Sequence, residues 1–277
     1  MRNGVNMKFL DGLDNDLRKA LLAQLRDLWT HNSTALEGNT LTLGETAFIL
    51  SEGLTVSGRS MREHQEISGH AFAIELLYGL LKRETPVTQS DLFELHRAVQ
   101  TSVVVDMYQP IGAWKREPNG TNALTMDGKP TFIDYASPTE VPALMNEWLA
   151  LLNRSLETQP LDESDALLVY SELHLSFVRI HPFADGNGRM ARLIANLPVL
   201  NAGFPPILID KNRRRDYLMT LSAYDLEAGC AKVGETLLPA STLKEDFQAF
   251  CETCWQTSLD VVTEIRDKQN VRNANKA

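Results

Sequence analysis

Residues 181–192, His-Pro-Phe-Ala-Asp-Gly-Asn-Gly-Arg-Met-Ala-Arg, set an imidazole, a carboxylate, two glycines around an asparagine, and two guanidinium groups close together. His181 is a proton acceptor at neutral pH. Asp185 offers hard oxygens suited to Mg²⁺. Gly186 and Gly188 lack Cβ atoms, so the backbone there can approach an oxyanion closely and take up positive φ. One helix ending at His181 and another opening near Arg189 would leave free backbone N–H groups facing the gap, which is how helix starts bind anions. Arg189 and Arg192 lie three apart, on one side of that second helix, where guanidinium groups grip phosphate oxygens in pairs. The plain alternative is a Pro-Phe stop and a Gly-Asn-Gly start between two helices, with solvent-facing arginines. Two arginines beside a positive helix end are unfavourable without an anion, so the pattern points to chemistry on a phosphate ester.

The elements that must position these groups are mostly helical. Leu17, Leu21, Leu25 and Leu28 form one apolar stripe over residues 14–30. Further helices are predicted over 61–83, after Thr88 with Ser90 as N-cap, over 138–156, and over 162–180, where Ala166, Tyr170, Leu173, Phe177 and Ile180 share a face. Another runs from Arg189 to about Ala202, closed by Gly203 with Pro205 and Pro206 beyond. Two more are expected near 212–226 and 243–268, followed by a polar tail that frays. Between Gln109 and Pro138 the chain collects Pro, Gly, Asn and Thr, and Asp127-Gly128 between two β-prone pieces predicts a hairpin. The fold class is mostly α, and 277 residues suit one large domain or a core with an appendage.

A net charge of −9 argues against broad nucleic-acid binding and favours proteins or small molecules as partners. Within so acidic a chain the basic run Lys211-Asn212-Arg213-Arg214-Arg215 reads as a solvated helix start. Cys230, Cys251 and Cys254 are too few and clustered for a disulfide framework, and Cys251-x-x-Cys254 lacks a second ligand pair, so both read as helix or core residues. His174 reads as a packed histidine; His31, His64, His70 and His96 show no metal-ligand spacing with nearby carboxylates. Neither a signal-like apolar segment nor a membrane-length apolar run is present in the sequence, and the expected location is cytoplasmic, with no membrane contact.

Residues 181–192 fit H-x-F-x-(D/E)-G-N-G-R-x-x-R at every fixed position, the signature of the Fic family, which the chain resembles over roughly residues 30–228. The segments 137–153 and 201–225 resemble the helix after the family's flap and the stretch after its motif. The resemblance implies a Fic-type helical bundle with a β-hairpin flap. It divides the chain into an N-terminal helical region (1–85), a catalytic core (86–228) and C-terminal helices with a polar tail (229–277). It implies a nucleotidyltransferase that moves AMP from ATP to a Ser, Thr or Tyr hydroxyl of a target protein and releases pyrophosphate. His181 would be the base and Asp185 would place Mg²⁺. Asp185, Gly186, Asn187, Gly188, Arg189, Met190, Ala191 and Arg192 would form the nucleotide site, with Arg192 at the γ-phosphate. The hairpin at 111–133 would pair with the target's backbone. Tyr217 and Asp225 fall where the family lines the adenine pocket, Asp225 standing where a close relative has Asn.

Upstream, Ser33-x-x-x-Glu37-Gly38 resembles the family's inhibitory motif, placing the chain in the class with an N-terminal inhibitory helix. Glu37 would pair with Arg192 and deny it to ATP. The expected partners are ATP, a protein target that includes the chain itself, and a second copy in a homodimer. Removal of AMP by the same site, transfer of a different group, and a non-catalytic phosphate-binding adaptor are the competing readings. The phosphate-transferring branch departs from Gly-Asn-Gly-Arg, and an adaptor leaves His181 and Asp185 idle.

Overall fold

The computed structural model describes residues 7–101, 109–125, 128–158 and 161–276. Its helices are α1 (Asn15–Ala35), α2 (Leu43–Glu52), α3 (Met61–Leu81), α4 (Gln89–Val99), α5 (Val141–Glu157), α6 (Glu163–Ile180), α7 (Asn187–Ile194), α8 (Asn196–Asn201), α9 (Arg214–Ala228) and α10 (Thr242–Ala274). Strands β1 (Gly120–Leu124) and β2 (Pro130–Asp134) pair antiparallel, with Gly120 opposite Asp134 and Asn122 opposite Phe132. The expected mostly helical class with a hairpin is what the chain forms. Asp127, half of the expected turn, lies outside the described residues.

Helix α6 is the centre. From Leu173 to Ile180 every residue is buried, as befits a helix wrapped on all sides by others. One apolar cluster joins Leu21 and Leu25 of α1, Trp148 of α5, Phe177 of α6, Leu193 of α7 and Phe247 of α10. Arg179 sits inside it at 2% exposure, and its guanidinium donates to the carbonyls of Ala228, Gly229, Cys230, Thr236 and Leu237. A buried cation is tolerable when its donors are all met, and here it folds the turn after α9 around itself. Cys251 and Cys254 are free thiols buried in α10. Among the described residues no helix is long and apolar enough to cross a membrane.

Several boundaries differ from expectation. Helix α1 continues to Ala35 because its polar last turns find partners: Thr34 Oγ1 donates to Thr30 O, and Asn32 Oδ1 accepts from Lys211 N. Helix α2 has a weak apolar stripe but is started by a capping box, with Thr42 Oγ1 accepting from Glu45 N and Glu45 accepting from Thr42 N. Thr88, not Ser90, caps α4, because Asp91 reaches back to the Thr88 N–H at 2.7 Å and to its hydroxyl at 2.8 Å. The single helix expected from Arg189 starts earlier, at Asn187, and divides at Ala195 just before Pro198. The tail does not fray at 268: Arg272 pairs with Asp16 at 2.7 Å and Gln269 Oε1 accepts from Asp14 N, tying the end of α10 to the start of α1.

His70, His96 and His174 are each at most 1% exposed. Burial drives their pKa values down to about 3, 4 and 3. Folded pKa values below the unfolded value near 6.5 mean that the unfolded chain binds more protons, so this stability is present above about pH 6.5 and lost as pH falls. Denaturant unfolding followed from pH 7.5 to 5 is expected to show falling stability with uptake of up to about three protons. A flat free energy across that window would contradict neutral burial of these rings.

Candidate active site

Helix α6 ends on His181 in the left-handed region (φ 53°), the single non-glycine residue with positive φ among those described. That conformation costs on the order of 1 kcal/mol for a side chain of this size. It turns the imidazole into the cleft. Nδ1 lies 3.1 Å from the Val178 carbonyl, which only accepts, so Nδ1 carries the proton and Nε2 presents its lone pair. The ring stacks on Tyr135 at 3.7 Å between centroids. Burial pushes the imidazole down to about 3, with Lys115 adding to the effect, so the base is neutral at any ordinary pH.

The loop after His181 hangs on Phe183, whose ring is buried and stacks on His96 at 3.8 Å. Asn187 brackets the same residue: its Oδ1 accepts from Phe183 N at 2.9 Å and its Nδ2 donates to Phe183 O at 2.8 Å. In this state the side chain of Asn187 faces the backbone of Phe183. Its amide is spent on closing the loop, and at 2% exposure it shapes the site from below. Asn119, at the foot of the hairpin, donates to the same carbonyl at 2.9 Å.

The C-terminus of α4 holds the other side. Gly112 N donates to His96 Nδ1, so Nε2 carries the proton and donates to Asp185 O at 3.0 Å. Gln100 donates from Nε2 to Asp185 Oδ2 at 3.0 Å and accepts Arg189 Nη2 on Oε1 at 3.2 Å. Burial works against charge on Asp185, yet the Gln100 amide and Arg189 hold its carboxyl below the ordinary range. Arg189 also reaches Val99 O at 3.2 Å and Asp185 Oδ2 at 3.3 Å. In this state Arg189 braces the loop through Val99, Gln100 and Asp185. Met190 and Ala191 are fully buried, with their side chains in the apolar core. The N–H groups of Asn187, Gly188 and Arg189, in the first turn of α7, lack intrahelical acceptors.

Arg192 is 3% exposed and is clamped from two helices. Its Nε donates to Ser33 Oγ at 3.1 Å, Nη2 to Ser33 O at 2.9 Å and to Glu37 Oε1 at 2.6 Å, and Nη1 to the Tyr217 hydroxyl at 3.3 Å. That hydroxyl in turn meets His174 Nε2 at 3.0 Å. Burial opposes charge on Glu37, and Arg192 outweighs it, holding the carboxyl below its usual range. A Cβ built on Gly188 would lie 2.8 Å from Glu37 Oε1 and 3.0 Å from Arg192 Nη1. The carboxylate therefore occupies the mouth of α7, over its free amides, where helix ends favour anions. Gly38 follows at φ 102°, a turn that glycine adopts without strain and that lifts the chain off α1.

These groups share a cleft of ≈ 330 Å³ that also contains Tyr217, Leu221 and Asp225. Tyr217 lines it as expected, but its hydroxyl serves Arg192. Asp225 is 4% exposed, and nothing among the described residues donates to its Oδ1. Larger grooves lie elsewhere, ≈ 490 Å³ beside α1 and α3 and ≈ 750 Å³ between the hairpin and α9. The expected residues 181–192, Ser33, Glu37, Tyr217 and Asp225 do come together. His96, Gln100, Asn119 and Tyr135 complete the site from positions with no motif to mark them.

The sequence profile of the Fic/DOC family matches residues 86–199. A Fic domain containing signaling protein from Bacteroides thetaiotaomicron superposes with a TM-score of 0.79 at 30% identity, covering 94% of this chain and 94% of that one. A Fic-1 fragment from Caenorhabditis elegans superposes with a TM-score of 0.69 at 26% identity, covering 95% of this chain and 70% of that one. The protein adenylyltransferase fic-1 of Caenorhabditis briggsae is 33% identical over 201 residues, which span 72% of this chain and 36% of that protein. The chain thus spans about a third of the length of the curated relatives it matches.

Burial raises the Asp225 carboxyl to about 7, with Arg179 offsetting only part of the effect. A folded pKa raised above the unfolded value near 4 contributes stability that is complete below about pH 4 and lost as pH climbs through 7. Asp225→Asn cannot ionise. Its melting temperature is expected to rise relative to the parent as pH goes from 4.5 to 7.5, and a constant difference would refute a neutral buried acid.

Proposed function

The chain belongs to the Fic family, and from that premise we propose that it is an autoinhibited protein adenylyltransferase, moving AMP from ATP to a Ser, Thr or Tyr hydroxyl of a target protein. The observation that carries this reading is the 2.6 Å contact of Glu37 with Arg192, set over the free amides of α7. A carboxylate fills a seat whose donors suit a phosphate.

In the proposed reaction the target hydroxyl loses its proton to His181 Nε2. Its oxygen attacks the α-phosphorus, and the bond to pyrophosphate breaks. The imidazole is a weak base in the resting protein. A triphosphate beside it is the negative charge that raises its pKa towards the working range. The amides of residues 187–189 oppose the charge on the phosphate oxygens, and Arg192 takes the γ-phosphate once Glu37 has left. Positioning and charge neutralisation of this kind are most of what phosphate transfer needs. Asp185, an exposed carboxylate at the cleft that is 61% accessible, would hold Mg²⁺ with its hard oxygens. That ion supplies further neutralisation of phosphate charge.

The hairpin and the ≈ 750 Å³ groove it forms with Leu218, Met219 and Ser222 of α9 are where an extended target segment would lie. The exposed side chains of Leu54, Met61 and Phe72 around α2 and α3 support a homodimer. Three free thiols suit a reducing, cytoplasmic setting. One observation favours a second reading, hydrolytic removal of AMP: only Oε1 of Glu37 is engaged, which leaves Oε2 to orient a water.

A charge-assisted hydrogen bond is worth about 1.5 to 3 kcal/mol. Glu37 is 42% accessible, so screening places the pair near the lower end. With Mg²⁺ and labelled ATP, Glu37→Gly is expected to raise labelling of target or self by about tenfold. Equal labelling of folded wild type and variant would remove autoinhibition from the account.

His181→Ala in the Glu37→Gly background is expected to abolish transfer while ATP affinity, measured by calorimetry, stays within about threefold, because base and phosphate contacts are separate. Undiminished transfer would displace His181 as the base.

A further inference from the structure

We propose that Arg214 is a latch between the hairpin groove and the inhibitory turn: an acidic, extended segment of the target takes its guanidinium from the Leu36 carbonyl, and the turn carrying Glu37 loosens. This rests on the autoinhibited reading above and adds to it the class of segment that relieves the inhibition.

The basic run at residues 211–215 has its members on different surfaces. Lys211 N donates to Asn32 Oδ1 at 3.2 Å, and the Arg213 guanidinium lies 4.4 Å from the centre of the Phe250 ring. Arg214 Nε donates at 2.8 Å to the carbonyl of Leu36, the residue just before Glu37. Among the described residues Arg214 is the single donor to that carbonyl. Leu36 closes α1, and a cation there satisfies an orphan acceptor while meeting the negative end of the helix dipole. Beyond it the turn is held by Glu37 N to Thr34 O at 3.0 Å, Gly38 N to Ala35 O at 3.0 Å and Asn39 N to Thr34 O at 3.2 Å. Those bonds stay within the end of α1 and its turn. The bond from Arg214 is the one that ties the turn to α9.

The same Arg214 lines the ≈ 750 Å³ groove, together with Thr121 and Asn122 of β1 and Arg215, Leu218 and Met219 of α9. Among the described residues Arg214 and Arg215 are the charged side chains of that lining, and neither is in an ion pair. The chain as a whole carries a net charge of −9, so an acidic segment is drawn to this groove against the prevailing charge. A chain laid along the hairpin in extended form turns every second side chain to one face. Alternate Asp or Glu residues therefore come opposite the two arginines, while Leu218 and Met219 give apolar contact. A carboxylate pairs with the edge of a guanidinium through two parallel bonds, whereas Leu36 offers one neutral oxygen. The carboxylate therefore takes the Nε–H. Loss of one net hydrogen bond shifts a local opening by about two- to tenfold.

The test uses the full chain and two synthetic peptides of about ten residues, alternating Glu-Thr and alternating Lys-Thr, each longer than the five-residue β1. Amide hydrogen exchange of the segment from Leu36 to Asn39 is followed by mass spectrometry at low ionic strength, where exposed charges are least screened. Excess Glu-Thr peptide is expected to speed exchange of that segment about two- to tenfold, and Lys-Thr peptide to leave it unchanged. Arg214→Gln is expected to speed it by a similar factor without peptide and to abolish the response to Glu-Thr. Labelling of self or peptide with labelled ATP and Mg²⁺ is expected to rise in parallel with exchange. Unchanged exchange with Glu-Thr peptide, an equal effect of both peptides, or a wild-type resting rate in Arg214→Gln overturns the latch. If Glu37→Gly raises labelling while any of these three holds, the latch alone fails and autoinhibition stands. If exchange responds as expected but neither Glu37→Gly nor Glu-Thr peptide raises labelling, autoinhibition fails and the latch with it. Should Arg214→Gln not fold, the two peptides on the unmutated chain decide alone.

Discussion

A buried guanidinium must have its donors met, and the demands of Arg192 fix where α1, α7 and α9 sit. Four of its five N–H groups donate to oxygens of Ser33, Glu37 and Tyr217. Removing a charge of this kind from water costs several kcal/mol, and pairing recovers it only with good geometry. The last turn of α1 therefore holds its polar residues inward, with Thr30, His31, Asn32, Ser33 and Thr34 all buried. Ordinary amphipathic packing would have turned that stretch to solvent.

A second buried network fixes the loop. His96, Gln100 and Arg189 link α4 to Asp185, while Asn187 and Asn119 converge on the backbone of Phe183. None of the five side chains needs a substrate to be ordered. The first turn of α7 is thereby presented with its amides free, and preorganised donors of this sort act without reorganisation when charge arrives. The surrounding rings of His181, His174 and Tyr217 are neutral, so the charges that set the field in the cleft are the pairs Arg192–Glu37 and Arg189–Asp185 together with the start of α7.

Much of this was legible from residue types and spacing. The Leu17, Leu21 and Leu25 stripe, the shared face of Ala166, Tyr170, Leu173, Phe177 and Ile180 on α6, and the run from His181 to Arg192 specify helices and a motif by local rules. The link between Glu37 and Arg192 was visible only through resemblance, since nothing local to either residue encodes a contact across the fold. What stayed hidden depends on tertiary partners. Gln100 sits in an unremarkable helix end, and its role exists only because Asp185 and Arg189 arrive beside it. The position of Asn187 in the motif likewise says nothing of which way its amide turns, and the pairing with Phe183 becomes visible only in the folded loop. Helix α10 runs on through a polar tail because Asp14 and Asp16 stand opposite Gln269 and Arg272, information carried by the far end of the chain.

The two contacts of α1 with Arg192 differ in kind, and this shapes how the site opens. Ser33 binds through its own carbonyl and hydroxyl from within the helix, whereas Glu37 lies beyond Ala35 in the turn that Gly38 completes. On the proposed autoinhibited reading, Glu37 would leave by a rearrangement of that turn, with Ser33 still bonded to Nε and Nη2. The guanidinium stays oriented with an unmet donor aimed at the mouth of α7, so an entering anion meets a seat already formed. The inhibitory strength then equals the difference between one carboxylate and one phosphate for the same donors, a small quantity by the standards of folding. If Glu37 inhibits as proposed, a partner that holds the turn at Gly38 away would relieve the inhibition without disturbing the core that positions His181.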